Sequence, residues 1–229
     1  MIPMSLERKN PYYVQFYQMI KQMIFEGKIK PGERINETQF AKEYNVSKSP
    51  IREAIRILEK EGLLVVDRSK VMVYKPTLKD VEDIYYCRMA LESFAVKRTT
   101  SIASDQELQQ IEANLDETEA AINANKDANE IIALNEQFHH FILTFSQNPR
   151  LLKQVNDLKG LINYYRILNF KGEWRAKEIL NQHRQVFRYI KDRNESKAAE
   201  EMIKHLKMDV EHLLEIFSDS IEVANLLEQ

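Results

Sequence analysis

The sequence predicts a mainly α-helical protein in two parts: an N-terminal winged helix-turn-helix with a small β-wing, then a C-terminal antiparallel all-helical bundle of six or seven helices. Three observations lead there. Glycine and proline supply only 5 and 6 of the 229 residues, well under the average share of about 12%. That is too little for a β-sandwich, which needs turn residues every ~8–12 positions, or for a Gly-rich nucleotide fold. The punctuation is also uneven: Pro3, Pro11, Pro31, Pro50, Pro76, Gly27, Gly32 and Gly62 all fall in the first 76 residues. Charge changes at the same place. Residues 1–76 hold 14 Lys/Arg and 9 Asp/Glu, net +5, and residues 77–229 hold 19 and 26, net −7, which together give the overall −2. The domain boundary is therefore expected at Pro76–Thr77, giving domains 1–76 and 77–229, a normal size for each.

In the first domain, Asn10-Pro11 reads as an N-cap followed by proline at the first helical position. Val14, Tyr17, Met19, Ile20, Met23 and Ile24 then recur at helical spacing up to Gly27. Pro31-Gly32 marks a turn. Asn36 can cap a short second helix in which Phe40, Ala41 and Tyr44 pack inward, and Asn45 suits the tight turn after it. Ser47 or Ser49 can cap a third helix, where Pro50 is tolerated because its missing N–H would be unpaired in a first turn. Ile51, Ala54, Ile55 and Leu58 form the buried stripe of that helix, and Gly62 ends it. Leu63–Val66 and Val71–Tyr74 are β-prone runs around the polar tip Asp67-Arg68-Ser69-Lys70, which is a wing.

The third helix carries the chemistry expected for DNA. Lys48, Arg52 and Arg56 share one face beside the apolar stripe. Such a helix fits the major groove with its N-terminal residues nearest the base edges, so Lys48 and Arg52 are the base-reading candidates. Arg56, beside Glu53 and Glu59, reads more simply as part of a solvated charged face. Ser47, Ser49 and Thr38 are short donors suited to phosphates, and Arg68 and Lys70 at the wing tip can reach a groove or the backbone.

The ordered elements G-x-x-x-P-G-x-x-I-x-E (Gly27 to Glu37), F-A (Phe40-Ala41), V-S-K-S-P-I-R-E-A (Val46 to Ala54) and L-x-x-E-G-L-L (Leu58 to Leu64) resemble the DNA-binding domain of the GntR family of bacterial transcription regulators. The resemblance implies DNA contacts at Thr38, Ser47, Lys48, Ser49, Arg52, Arg68 and Lys70. Lys48 stands where that family usually has Arg, which exchanges a bidentate fork for a point charge. Ser69 stands where Gly is common.

From Thr77 onward the sequence reads as helices. Thr77-x-x-Asp80 and Ser104-x-x-Glu107 are capping boxes. Apolar faces follow: Val81, Ile84, Tyr85, Arg88, Leu91 and Phe94 in the first helix; Leu108, Ile111, Leu115 and Ile122 in the second; Ile131, Leu134, Asn135, Phe138, His139, Ile142 and Phe145 in the third. Asn148-Pro149 starts a fourth through Leu152, Val155, Leu158 and Ile162. Ile179, His183, Val186, Phe187 and Ile190 mark a fifth. Asn194 caps a sixth with Ala198, Met202, His205, Asp209, Leu213 and Ile216. These faces suit an antiparallel bundle.

His139, His183 and His205 sit on apolar faces of three different helices, and Asn135 lies one turn before His139. Imidazoles converging inside a bundle are a site for Zn²⁺ or a similar divalent metal; three separately satisfied core histidines are the plainer alternative. His140 and His212 read as surface residues. Ligation needs neutral imidazoles, so metal binding is expected to fail as pH drops through about 6.

Arg88-x-x-Leu91-Glu92, Asn135-x-x-Phe138-His139, Asn148-Pro149-x-Leu151-Leu152, Gln182-His183-Arg184 and Met202-x-x-His205-Leu206 are similar to the FCD effector domain of the FadR subfamily within the GntR family. The resemblance implies a metal held by an Asp and three His at the floor of an effector cavity, here Asn135, His139, His183 and His205. Asn135 replaces the Asp with a neutral amide, a weaker ligand, and Asp209 is an outside candidate for a substitute carboxylate. The resemblance also implies a small carboxylate effector, which a metal and Arg88 in one cavity would attract.

Taken together, these readings describe a ligand-responsive transcription regulator: a homodimer on double-stranded operator DNA, dimerised through residues 77–229, with DNA affinity modulated by an organic acid bound near a metal. The alternatives are a three-His metalloenzyme, which lacks an H-E-x-x-H arrangement, and an acyl-CoA sensor, against which the three histidines count. The longest stretch without Asp, Glu, Lys or Arg is Gln137–Pro149, short of the ~20 residues of a membrane span. Glu7, Arg8 and Lys9 precede any long apolar run, so no signal peptide is read. The single cysteine, Cys87, cannot form an internal disulfide, which fits a cytoplasmic protein.

Overall fold

The computed structural model describes residues 10–68, 70–170 and 174–227. The chain divides into two compact units, Met1–Pro76 with Asp157–Leu161, and Thr77–Asn156 with Ile162–Gln229.

In the first unit, α1 (Tyr12–Phe25) starts one residue later than the Asn-Pro pair predicts: Pro11 is the N-cap, its carbonyl accepting from the Val14 and Gln15 amides. The helix buries Phe16, Met19, Ile20 and Ile24. Phe16 points its ring at the edges of Phe40 and Tyr44, with centroids 6.5 and 5.5 Å apart, so those two residues reach the core while staying half-buried. Tyr17, placed in the apolar stripe by periodicity, is half-buried and its hydroxyl donates to Glu61 Oε1 at 2.6 Å.

A two-residue strand, β1 (Arg34–Ile35), precedes α2 (Glu37–Glu43). Asn36 caps α2 as expected, Oδ1 accepting from the Thr38 and Gln39 amides. Asn45, at φ +51° in the left-handed region an Asn tolerates, turns the chain into α3 (Lys48–Lys60). Ser47 is the N-cap residue of α3, and Ile51, Ala54, Ile55 and Leu58 are its buried face. β2 (Leu64–Asp67) and β3 (Lys70–Val73) form the wing in antiparallel register, Leu64 opposite Val73 and Asp67 opposite Lys70. β1 adds to the far side of β3, giving the order β1-β3-β2. Arg68 takes φ +45° at the tip; Ser69 lies outside the described residues.

From Thr77 onward the described residues form seven helices: α4 (Leu78–Ile102), α5 (Asp105–Asn123), α6 (Ala128–Phe145), α7 (Pro149–Asp157), α8 (Lys159–Asn169), α9 (Arg175–Lys191) and α10 (Glu195–Leu227). Both capping boxes are formed. The single helix expected from Asn148 to Ile162 is two, broken at Leu158. α10 runs along α4 and packs on α9; α6 packs on α4 and α5, and α9 on α5. Phe94, expected in the buried face of α4, is 68% exposed; burial on that helix instead takes Glu92, Ser93, Ala95 and Val96. Among the described residues no helix is long and apolar enough to cross a membrane.

Candidate functional site

Three helices deliver the polar groups at the centre of the second unit. α6 carries Asn135 and His139, α9 carries His183, and α10 carries His205 and Asp209. The three histidines are 4%, 1% and 2% exposed. Their ring centroids lie 5.0 Å (139–183), 5.3 Å (139–205) and 4.7 Å (183–205) apart. The Nε2 atoms converge: His183 to His205 is 3.3 Å and His205 to His139 is 3.4 Å.

The opposite ring nitrogens explain why. His139 Nδ1 is 2.6 Å from Glu92 Oε2, whose other oxygen accepts from Arg88 Nε at 2.7 Å. His205 Nδ1 is 2.7 Å from Gln182 Oε1. Each of these partners is an acceptor, which places the ring proton on Nδ1 and turns the Nε2 lone pair inward. His183 is held flat against Phe138, with centroids 4.1 Å apart and planes 15° from parallel. The inward Nε2 lone pairs of His139 and His205, 3.4 Å apart, repel one another, and a cation relieves the repulsion. Metal–nitrogen bonds of about 2.0–2.1 Å in a tetrahedron put the nitrogens about 3.3 Å apart, the spacing of the 183–205 and 139–205 pairs, while all three ligand atoms lie within 4.8 Å of one another.

Among the described residues, Asn135 Oδ1 is buried without a hydrogen-bond partner, an acceptor left aimed at no donor. Asn135, Asp209, Arg166, Asn169 and the three histidines line a cavity of about 20 Å³, room for one water-sized particle. Burial pushes His139 down to about 3 against the opposing pull of Glu92. Burial and the neighbouring imidazoles hold His183 well below its usual value, and burial lowers His205 too. The imidazoles are thus neutral near pH 7, the form that ligates a metal. Burial alone would raise Glu92, but Arg88 and His139 outweigh it and keep the carboxyl ionised.

Arg88, the cation singled out in the sequence, is fully buried, pairs with Glu92 and covers the Tyr85 ring at 4.7 Å; its Nη1 and Nη2 have no hydrogen-bond partner among the described residues. Arg166 was missed and lines the cavity, as were Glu92, Asn169 and Arg175. Glu92 had a signal, four residues after Arg88 in R-x-x-L-E, and so did Gln182, next to His183; the other three had none. Asp209 is buried, with Oδ1 accepting from Asn169 Nδ2 at 2.7 Å and Arg175 Nη2 at 2.6 Å. His140 is exposed, while His212 is half-buried against Trp174.

In the first unit, Thr38, Ser47, Lys48, Ser49, Arg52, Arg68 and Lys70 are all exposed. Lys48 and Ser49 open α3, and Ser47 makes no side-chain capping bond, leaving its hydroxyl available. Arg52 Nε donates to Glu37 Oε2 at 2.8 Å, tying α3 to the first turn of α2. Thr38 and Arg52 share a concavity with Arg34, a cation on β1 that sequence reasoning passed over.

A basic winged helix-turn-helix joined to a helical bundle with a buried polar centre defines a DNA-binding regulator with an effector domain. The chain belongs to the GntR family: the model for bacterial regulatory proteins of the gntR family matches residues 12–71 and that for the FCD domain matches residues 83–208, the pairing of the FadR-type subfamily. It is 44% identical over 219 residues to the uncharacterized HTH-type transcriptional regulator YdhC of Bacillus subtilis (strain 168), covering 95% of this chain and 98% of that one. The Nta operon transcriptional regulator of Aminobacter aminovorans is 30% identical over 194 residues, covering 84% and 90%. In fold it is similar to E. coli McbR/YncC, with a TM-score of 0.75, 19% identity and coverage of 91% and 99%. The chain is thus a transcription regulator with an FCD effector domain, as its relatives are transcription regulators.

Proposed function

We propose that residues 1–76 read an operator as one half of a homodimer, and that residues 77–229 hold a divalent metal and a small organic acid that shifts operator affinity. The observation that carries the metal reading is the cluster of three imidazoles with ligand atoms within 4.8 Å of one another, His205 Nε2 lying 3.3 and 3.4 Å from the other two, and the Asn135 Oδ1 in the same cavity. His139, His183 and His205, with Asn135, would hold the ion. A nitrogen-rich, near-tetrahedral donor set favours zinc. Bound there, the metal supplies a positive centre for a carboxylate oxygen.

The chain's own cations serve the rest of that anion. Arg166 lines the cavity, and among the described residues the Arg88 Nη atoms are buried without acceptors. The cavity is small, so an organic acid must widen it. A ligand that binds the widened form better shifts the population by that difference, typically 1–3 kcal/mol. A fatty acyl chain finds no room of its size here. The DNA contacts are assigned to Lys48 and Arg52 for bases and to Thr38, Ser47, Ser49, Arg68 and Lys70 for phosphates and the groove beside the wing. Dimerisation is assigned to the second unit, where Tyr86 and Phe94, 76% and 68% exposed, stand on α4. Eight residues apart, they share one helical face.

The test combines metal analysis with DNA binding. Zinc-loaded protein should retain about one metal per chain after gel filtration, and His183→Ala none. On an operator selected from random duplexes, the zinc-loaded protein should change affinity with one member of a panel of two- to six-carbon organic acids. Equal metal content in both proteins would refute the metal centre, and unchanged affinity across the panel would refute the effector class.

A further inference from the structure

The cavity contains one more acceptor than the three imidazoles and Asn135. Asp209 lies one turn beyond His205 on α10 and is 4% exposed. Asn169 and Arg175 hold its Oδ1 at 2.7 and 2.6 Å. With that oxygen fixed, Oδ2 sits 3.7 Å from His205 Nε2. That nitrogen is a lone pair, because Nδ1 of the same ring donates to Gln182. A carboxylate oxygen and an imidazole lone pair thus face each other in a buried space, an arrangement that costs free energy unless a cation lies beside both.

The charge count points the same way. A divalent ion among three neutral imidazoles and a neutral amide keeps its full charge in a desolvated site, where an uncompensated charge is costly. Among the described residues, Asp209 is the one carboxylate lining the cavity. The compact donor cluster consists of His139, His183 and His205, and Asp209 stands at its edge, within reach of the ion directly or through one ion-bound water. We propose that Asp209 is the anionic partner of the metal, supplying from α10 the negative charge that Asn135 on α6 does not. This rests on the metal reading given above.

The competing role for Asp209 is a clamp that fixes Asn169 and Arg175 and has no bearing on the ion. The test is competitive zinc titration of the full chain against a chromophoric chelator. Asp209→Asn keeps the size of the side chain and an oxygen acceptor for Asn169 and Arg175 while removing the charge. It should weaken zinc binding by about 10–100-fold, the usual cost of losing a partner of a metal site. Adding Asn135→Asp to that variant should recover most of the loss, since an anion is returned from the other side of the cavity. A clamp predicts no such recovery. Affinity of Asp209→Asn within twofold of the original chain, or a double variant as weak as the single one, would overturn the assignment. If the original chain binds zinc no better than His183→Ala, the metal centre itself falls, and the role of Asp209 with it.

Discussion

Truncating Arg52 separates recognition from stability. The side chain is 59% exposed and its ion pair is with Glu37, a surface contact worth about 0.2–1 kcal/mol. Arg52→Ala should therefore leave the melting temperature almost unchanged. On DNA the loss is larger. Glu37 engages Nε, which leaves the two Nη groups to fork onto a guanine edge, and losing such a pair costs about 1–3 kcal/mol. That is about 5- to 150-fold in Kd. The assay is fluorescence anisotropy at fixed salt, with an operator selected from random duplexes and a scrambled duplex of the same length. Arg52→Ala should lose more on the operator than on the scramble. Arg52→Lys should recover general affinity but not the discrimination, because an ammonium cannot fork. If Arg52→Ala binds both duplexes as the original chain does, α3 is not the reading helix.

Three further outcomes follow from the second unit. Zinc at 100 times its Kd stabilises a protein by about 2.7 kcal/mol, about 5–11 °C for a unit of this size. His183→Ala should lower the melting point of metal-free protein and abolish that rise, and a rise of undiminished size would contradict ligation by His183. In chelator-treated protein the three buried imidazoles titrate below the 6.5 of an unfolded chain. Their contribution is therefore complete above pH 6.5 and lost as pH falls below it, by up to about 1.4 kcal/mol per pH unit for each His. Urea unfolding at pH 7.5, 6.5 and 5.5 measures this, and equal midpoints would show that the histidines are not buried neutral. Below the usual carboxylate range the lowered Glu92 and Asp209 add a second loss. Phe94→Glu places a charge on an exposed face, so it should barely alter folding yet move full-length protein from dimer to monomer in sedimentation; an intact dimer would place the interface elsewhere.

The winged unit was legible because its turns are spelled by residues with special backbone preferences: Asn45 and Gly62 both adopt the positive φ their types allow. β1 was not legible, since two residues carry no alternation to read. The division between α7 and α8 was hidden by apolar residues that continue at helical spacing across it, Leu152, Val155, Leu158 and Ile162. Phe94 was misplaced for the opposite reason. Periodicity marks which residues are apolar, not whether the face they share is covered within one chain. At the histidine centre, three ring positions were readable because each lies on an apolar face. Arg166, Asn169 and Arg175 were not, because long polar side chains on helices ordinarily reach solvent and only the packing of α8 and α9 turns them inward.

The order of the centre's residues along the chain also has a consequence for synthesis. The family's DNA-binding model ends at residue 71, while the last imidazole, His205, lies more than 130 residues later on the final helix. At about 5–20 residues per second, with domains folding as they emerge, the winged helix-turn-helix residues leave the ribosome about 7–27 s before the histidine set is complete. During that interval the nascent protein can meet DNA but has no centre through which a metabolite could report. Under the function proposed above, any DNA bound in that window is bound without regard to the metabolic state of the cell.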